Sequence, residues 1–221
     1  MTKIPPEIIT QEAEMSHKWL EWGQKLQAIA QIGLTYNNNP YDIERYQQVR
    51  QIAAEILSTY SNVETSYILD LFSGEVGYAT PKVDVRAAVF QSDKILLVKE
   101  KEDGCWTLPG GWADIGDSPS EAIVREVYEE SGYQTRVVKL VAVYDRNHIR
   151  HGHPPLAHHV YKLFFQCELI GGMPKASYET EEVAFFGEQE IPNLSLTRVV
   201  PSQITQLFEY YRDPNKPTDF D

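Results

Sequence analysis

The sequence predicts an α/β domain preceded by a small all-helical domain. Three observations carry that prediction. Apolar residues between residue 12 and about residue 72 recur at helical spacing. Strand-like runs begin only after residue 81. Among those strands lies one helix, residues 119–131, whose two ends carry capping chemistry.

In the first helix Met15, Trp19, Trp22, Leu26, Ile29 and Gly33 repeat at alternating four and three, a narrow apolar stripe. "LTYNNNPYD" breaks the pattern with asparagines and a proline. The second helix carries Tyr46, Val49, Ala53, Ile56 and Tyr60 on one face, and "SNVETSYILDLFSG" reads as a short third helix with Asn62 placed to cap it. These helices assign residues 1–72 to an N-terminal domain. Its stripe would leave a large apolar area exposed on an isolated hairpin, so cover by the third helix and by a second subunit, a homodimer, is expected. Residues 73–81, with two glycines and a proline, read as a linker.

The α/β domain is expected over residues 82–213. "VDVRAAVF" and "KILLVKE", separated by "QSD", predict a hairpin. "VVKLVAVYD" and "HHVYKLFFQCELI" predict longer strands, and "VAFF" a short one. The last helix, "SQITQLFEYYR", presents Ile204, Leu207, Phe208 and Tyr211. Residues 214–221 read as a loose C-terminal tail.

Composition narrows the function classes. The 221 residues carry a net charge of −12, which disfavours a broad nucleic-acid-binding face. Residues 1–75 carry a net of −5, which argues against a DNA-reading domain. The only cysteines, Cys105 and Cys167, make neither a disulfide framework nor a CxxC metal knuckle, so a reducing cytoplasm fits best. No apolar core of a signal peptide opens the chain and no run of eighteen apolar residues occurs, so neither secretion nor membrane insertion is expected.

The chemistry concentrates on residues 119–131. Ser118-Pro119-Ser120-Glu121 is a capping box with proline at the first helical position, and Gly132 suits the stop. At about 100° per residue, Glu126, Glu129 and Glu130 fall within a sector of roughly 100°, with Val124, Val127 and Tyr128 on the other side. Like charges three and four apart repel, so helical stability does not select them. A solvated surface helix is the plain alternative. Hard oxygen ligands at this spacing suit Mg²⁺ or Mn²⁺.

Gly111, Asp117 and "REVYEESGY" (residues 125–133) together resemble the Nudix box. That signature is glycine, five residues, glutamate, seven residues, then Arg-Glu-apolar-any-Glu-Glu-any-Gly-apolar. From average usage, a chance match to its six fixed Gly, Arg and Glu positions is on the order of one in 100,000. The resemblance implies an α/β/α sandwich with a mixed sheet. It also implies metal-dependent hydrolysis of the pyrophosphate bond in a nucleoside diphosphate linked to a further moiety X. Arg125, Glu126, Glu129 and Glu130 become catalytic candidates, with Mg²⁺ or Mn²⁺ held by Gly111, Glu126, Glu129 and Glu130. Gly110 and Gly111 either admit a diphosphate or simply make a tight turn. Asp117 departs from the pattern, being one methylene shorter than the usual glutamate; Glu121 stands near enough to substitute for it.

The similarity extends further. "WLEWGQKLQAIAQIGLTYNNNPYDIERYQQVRQIAAEIL", "LVKEKEDGCWTLPGGWADIGDSP" and "SYETEEVAFF" are similar to a bacterial Nudix subgroup with a helical N-terminal domain, whose substrates include ADP-ribose and CDP-choline. Nudix enzymes often take a further metal ligand or general base from a loop near "SYETEEVAFF", which makes Glu179 and Glu182 candidates beside a solvated acidic loop. Arg86 could grip a phosphate or pair with a core carboxylate. Trp106, Trp112 and Tyr144 are expected to pack in the core, with stacking on a base as the alternative. Five histidines, His148, His151, His153, His158 and His159, crowd one segment. A zinc site lacks regular ligand spacing, and the preferred reading is a mobile loop over substrate, with Arg146 and His158 facing phosphate or sugar. Two other functions compete: a Nudix module that senses a nucleotide without cutting it, and an RNA end or cap hydrolase using a local groove.

Overall fold

The computed structural model describes residues 18–221. The chain divides into two compact units, one running to Pro81 and taking in Pro155–His159, the other made of the remaining residues.

The helical unit contains α1 (Lys18–Tyr36), α2 (Pro40–Thr59) and α3 (Thr65–Ser73). Asn39 caps α2, its side chain accepting from the Tyr41 N–H, with Pro40 at the first position. The third helix starts after Glu64, so Asn62 is not its cap. Leu20, Ala53, Ala54, Leu57, Ile68 and Phe72 form the core. A Cβ on Gly23 would lie 2.7 Å from Leu57, and one on Gly33 would lie 2.4 Å from the Tyr46 ring. α1 therefore buries a face of small residues, Gly23, Ala30 and Gly33, together with Leu20, Gln27 and Gln31. The expected stripe is offset from it: Trp22 and Ile29 are 56% and 54% exposed. Trp19 stacks on Tyr60 with ring centroids 5.5 Å apart, and Leu26 packs at the margin of the core. Met15 lies outside the described residues. Pro155–His159 joins this unit where Gln24 Nε2 donates to the carbonyls of Leu156 (3.0 Å) and Ala157 (3.2 Å).

The second unit runs β1 (Lys82–Gln91), β2 (Lys94–Glu100), β3 (Trp106–Thr107), α4 (Pro119–Ser131), β4 (Tyr133–Asp145), β5 (Val160–Gly172), β6 (Thr180–Phe186), α5 (Pro201–Arg212) and β7 (Asp219–Phe220). The strand order is β3-β2-β1-β5-β4-β7, with β6 on β2. β1 lies parallel to β5, while β4 is antiparallel to β5, so the sheet is mixed. Residues of α4 pack with Val85, Ala87 and Phe165 on one face. Residues of α5 pack with Ala88, Tyr144 and Phe164 on the other, giving the α/β/α layering. Residues 214–221 are not a loose tail: β7 pairs parallel with β4, and Tyr210 Oη donates to the Pro217 carbonyl.

One irregularity positions the site. β1 pairs with β2 only at their hairpin end, Phe90 with Ile95 and Gln91 with Lys94. Further along, β1 donates instead to the segment before α4: Ala87 N–H to Pro109 O (2.9 Å) and Val85 N–H to Gly111 O (2.8 Å). Gly110 sits at φ 136°, and a Cβ there would lie 2.0 Å from Val85 O, so only glycine fits this approach.

Candidate active site

α4 is fixed at both ends by local chemistry. Ser118 and Glu121 complete the reciprocal capping box, Pro119 opens the helix, and Gly132 ends it at φ 75°. Ala122, Ile123 and Val127 are buried against the sheet. The opposite face presents Glu126, Glu129 and Glu130 to a cleft of about 960 Å³, which Gly110, Gly111, Arg86 and the Ser177–Glu179 loop also line.

The positive group among these glutamates is Arg125. Its Nη1 donates to Glu126 Oε1 (2.9 Å) and Glu129 Oε2 (3.0 Å), its Nε to Asp117 Oδ2 (3.1 Å), and its Nη2 to Asp114 Oδ2 (2.9 Å). The shorter Asp117 thus reaches the guanidinium, and Asp114 joins it from the loop before the helix. These bonds hold Arg125 firmly protonated. Glu121 is committed to the cap and does not take the place of Asp117.

Glu130 is buried, and its Oε2 accepts from the Gly110 N–H at 2.8 Å. Burial pushes its carboxyl up to about 8, against the opposing pull of Arg86 and the Gly110 N–H, with Glu100 and Glu126 adding to the rise. Burial also raises Glu126, more than Arg125 lowers it. Arg86 lines the cleft and is bound to a core carboxylate, the second of its two expected roles. Its Nε and Nη2 donate to Asp84 at 3.0 and 2.8 Å, and its Nη1 donates to Leu108 O at 3.1 Å. Lys162 Nζ donates to the same Asp84 at 2.6 Å.

The donor set fits a hard divalent cation: carboxylate and carbonyl oxygens only, two of the carboxylates disfavoured as anions by burial. Gly111 lies against Glu126, whose Oε2 would be 3.1 Å from a Cβ at that position. Among the described residues no three His, Cys, Asp or Glu side chains already form a metal cage, and Arg125 bridges Glu126 and Glu129. The Gly111 carbonyl already accepts from Val85, leaving its second lone pair.

Other candidates scatter. Glu179 lines the cleft. Glu182 stands outside its lining, on β6 opposite Lys99, whose Nζ donates to it at 2.8 Å. Tyr144 is buried in the core, its hydroxyl donating to Gln206 (2.6 Å) and Asp219 (2.7 Å). Arg146 is buried and donates to the carbonyls of Thr197 and Pro154. Neither lines the cleft, and His158 belongs to the helical unit. Trp106 packs on Phe186, whereas Trp112 lines the cleft half-exposed. The histidines diverge: His151 meets Asp221, and His153 meets Leu196 O and Gln203.

Among the cleft residues that went unread in the sequence are Asp114, Glu100 and Arg198, the last two paired at 3.3 Å. Glu100 shares strand parity with buried Leu96 and Val98, and a carboxylate at such a position was the available signal. Arg198 arrives from a distant loop and left none.

Comparison with known proteins agrees with this geometry. Residues 80–208 match the NUDIX domain, and residues 17–72 match a domain described as UDP-X-like, N-terminal oligomerisation. A Bacillus subtilis protein provisionally named an ADP-ribose pyrophosphatase is 47% identical over 92% of this chain and 97% of its own. An ADP-ribose pyrophosphatase of Methanocaldococcus jannaschii is 36% identical over 53% of this chain and 69% of its own. The crystal structure of a UDP-X diphosphatase superposes with a TM-score of 0.60 at 32% identity, covering 93% of this chain and 99% of that one. No described helix is long and apolar enough to cross a membrane. The chain belongs to the Nudix family of pyrophosphohydrolases, in the group that carries a UDP-X-like helical domain ahead of the Nudix domain.

Proposed function

We propose that this protein hydrolyses the pyrophosphate bond of a nucleoside diphosphate linked to X, with ADP-ribose the first candidate and CDP-choline the second. The observation that carries the reading is the convergence of Glu126, Glu129 and Glu130 with Gly110, Gly111 and Arg86 on one cleft. Glu126, Glu129, Glu130 and the Gly111 carbonyl would hold Mg²⁺ or Mn²⁺. When bound, the cation supplies charge neutralisation for the phosphoryl oxygens and acidifies a water ligand.

The chain's own residues do the rest. Arg125 fixes Glu126 and Glu129 by charge-assisted hydrogen bonds. The Gly110 N–H orients the Glu130 carboxylate. Asp84 holds the Arg86 guanidinium bidentately and turns it toward the cleft, where it can bind a phosphate oxygen. Glu179, which also lines the cleft, is the candidate to accept a proton from the attacking water. The exposed Trp22 and Ile29 and the match to an oligomerisation domain support a homodimer through the N-terminal helices.

The test is a substrate panel of ADP-ribose, CDP-choline, NADH, diadenosine polyphosphates and 8-oxo-dGTP, each with Mg²⁺, Mn²⁺ or chelator. Metal-dependent release of a nucleoside monophosphate, fastest from ADP-ribose, is expected. Binding without turnover across the panel would replace the reading with a nucleotide sensor.

A further inference from the structure

We propose that Lys101 is a positioning residue for the cleft, acting through Glu179. Lys101 follows β2, in a turn that packs against the loop carrying Glu179. Its Nζ donates to Ser177 O (2.8 Å) and Tyr178 O (2.9 Å), and its backbone N–H donates to Glu179 O (2.9 Å). One residue thus holds three consecutive carbonyls of the cleft wall.

The other side of the loop is docked on α4. The Lys175 N–H donates to Ser131 O (2.9 Å), and Thr180 Oγ1 donates to Glu130 O (2.8 Å). Both carbonyls belong to the last turn of the helix, where intrahelical donors run out. Within the loop Ser177 Oγ accepts from the N–H groups of Glu179 and Thr180, each at 3.0 Å. The loop therefore bridges the helix that carries Glu126, Glu129 and Glu130 and the turn after β2. Thr180 sets its distance from the helix, and Lys101 sets its distance from β2.

Lys101 is exposed, so water replaces its hydrogen bonds at little cost to global stability. Losing the ammonium removes the bonds to Ser177 O and Tyr178 O while the backbone bond to Glu179 O stays, so the loop loosens just before Glu179, and a displacement of about 1 Å in a reacting group can cost up to ~10²-fold in rate.

The inference rests on Glu179 taking part in the reaction, and the experiment separates the two. kcat and KM are measured for Lys101→Met, Lys101→Arg, Glu179→Gln and the double variant Lys101→Met/Glu179→Gln, on the panel substrate that the unmodified protein cleaves fastest. Amide exchange across residues 177–180 is followed alongside. Lys101→Met is expected to lower kcat about 5- to 20-fold with KM within about twofold. It should speed exchange at the Glu179 and Thr180 amides. Lys101→Arg, which keeps the donors, should restore most of the rate. In the double variant, removal of Lys101 should add nothing to the loss caused by Glu179→Gln. Unchanged kcat in Lys101→Met, or losses that multiply in the double variant, would overturn the proposal. Full activity in Glu179→Gln would also overturn it, while leaving the metal site on α4 to stand or fall with Glu130.

Discussion

Two buried carboxylates flank Arg86 and behave in opposite ways. Asp84 receives two hydrogen bonds from Arg86 and one from Lys162. Burial pushes its carboxyl up, but those cations outweigh it and hold Asp84 at about 2. Glu130 receives one backbone N–H, sits near Glu100 and Glu126, and rises to about 8. Asp84 has its cations inside the fold and is structural. Glu130 is buried with its charge only partly compensated by the chain, which is the electrostatic condition of a site built for an external cation.

The largest effect expected from this contrast is on stability. Asp84→Asn should destabilise the protein by ~3–5 kcal/mol, because Arg86 and Lys162 would remain buried without their anion. At this size each kcal/mol shifts Tm by roughly 2–4 °C, so calorimetry resolves the change easily. A Tm shift under about 3 °C would mean the triad is better solvated than its burial implies.

Glu130→Gln should do the reverse. Turnover should fall at least about 10²-fold, about 2.7 kcal/mol of barrier, while the metal-free protein stays as stable or gains slightly. Unchanged turnover in the folded variant would remove Glu130 from the metal site. Lost turnover with a collapsed fold would make Glu130 structural, like Asp84.

The two carboxylates also carry opposite pH dependence. Glu130 titrates higher folded than unfolded, so its contribution is fully present below about 4.5 and is lost as pH rises through about 8. Glu126 shifts in the same direction. Asp84 contributes above about 3.8, and that stability is lost as pH falls through about 2. Denaturant unfolding with chelator should therefore show stability declining from pH 5 to 8, by at most about 1.4 kcal/mol per pH unit for one group. Glu130→Gln should flatten this slope. An unaltered slope would assign it to other groups.

What was legible in the sequence follows from the range of the interactions. α4 was readable to the residue because its cap, its first proline and its terminal glycine act within a turn of the helix. The Arg125 cluster was half readable: Glu126 and Glu129 share its helix, whereas Asp114 enters from a loop. The buried face of α1 was misread because Gly23 and Gly33 let α2 approach closely, and a face that mixes glycine, alanine and glutamine carries little apolar periodicity. Arg146 was placed near substrate because it precedes the histidine segment, and Tyr144 was offered as a base-stacking residue beside its core reading. Their side chains instead satisfy buried carbonyls and the C-terminal strand, partners far away in sequence.

Asp117 tests the contrast at the edge of the site. It is one of four carboxylates on Arg125, and its side chain is about a third exposed. A pair of that exposure is worth roughly 0–1 kcal/mol. Asp117→Ala should therefore cost less than about tenfold in kcat, with Asp114, Glu126 and Glu129 still holding the guanidinium. A loss comparable to that of Glu130→Gln would show that Asp117 does more than hold Arg125.

The smallest effect belongs to Glu182. It stands on β6 across from Lys99, an exposed pair with N–O distance 2.8 Å, with Glu181 sharing the same ammonium at 3.4 Å. Neither burial nor unmatched charge distinguishes it, so it has neither the compensation of Asp84 nor the partly compensated charge of Glu130. Glu182→Gln leaves Glu181 on Lys99 and should change stability by less than about 0.5 kcal/mol. Turnover should stay within about twofold, against a clear loss for Glu179→Gln three residues earlier, since each tenfold in rate needs ~1.4 kcal/mol at the transition state. The paired measurement is decisive because both residues lie on the same acidic stretch and carry the same charge. If Glu182→Gln lost rate and Glu179→Gln kept it, the end of β6 would have to turn toward the cleft during the reaction, and the contrast between matched and unmatched carboxylates would no longer identify the working groups.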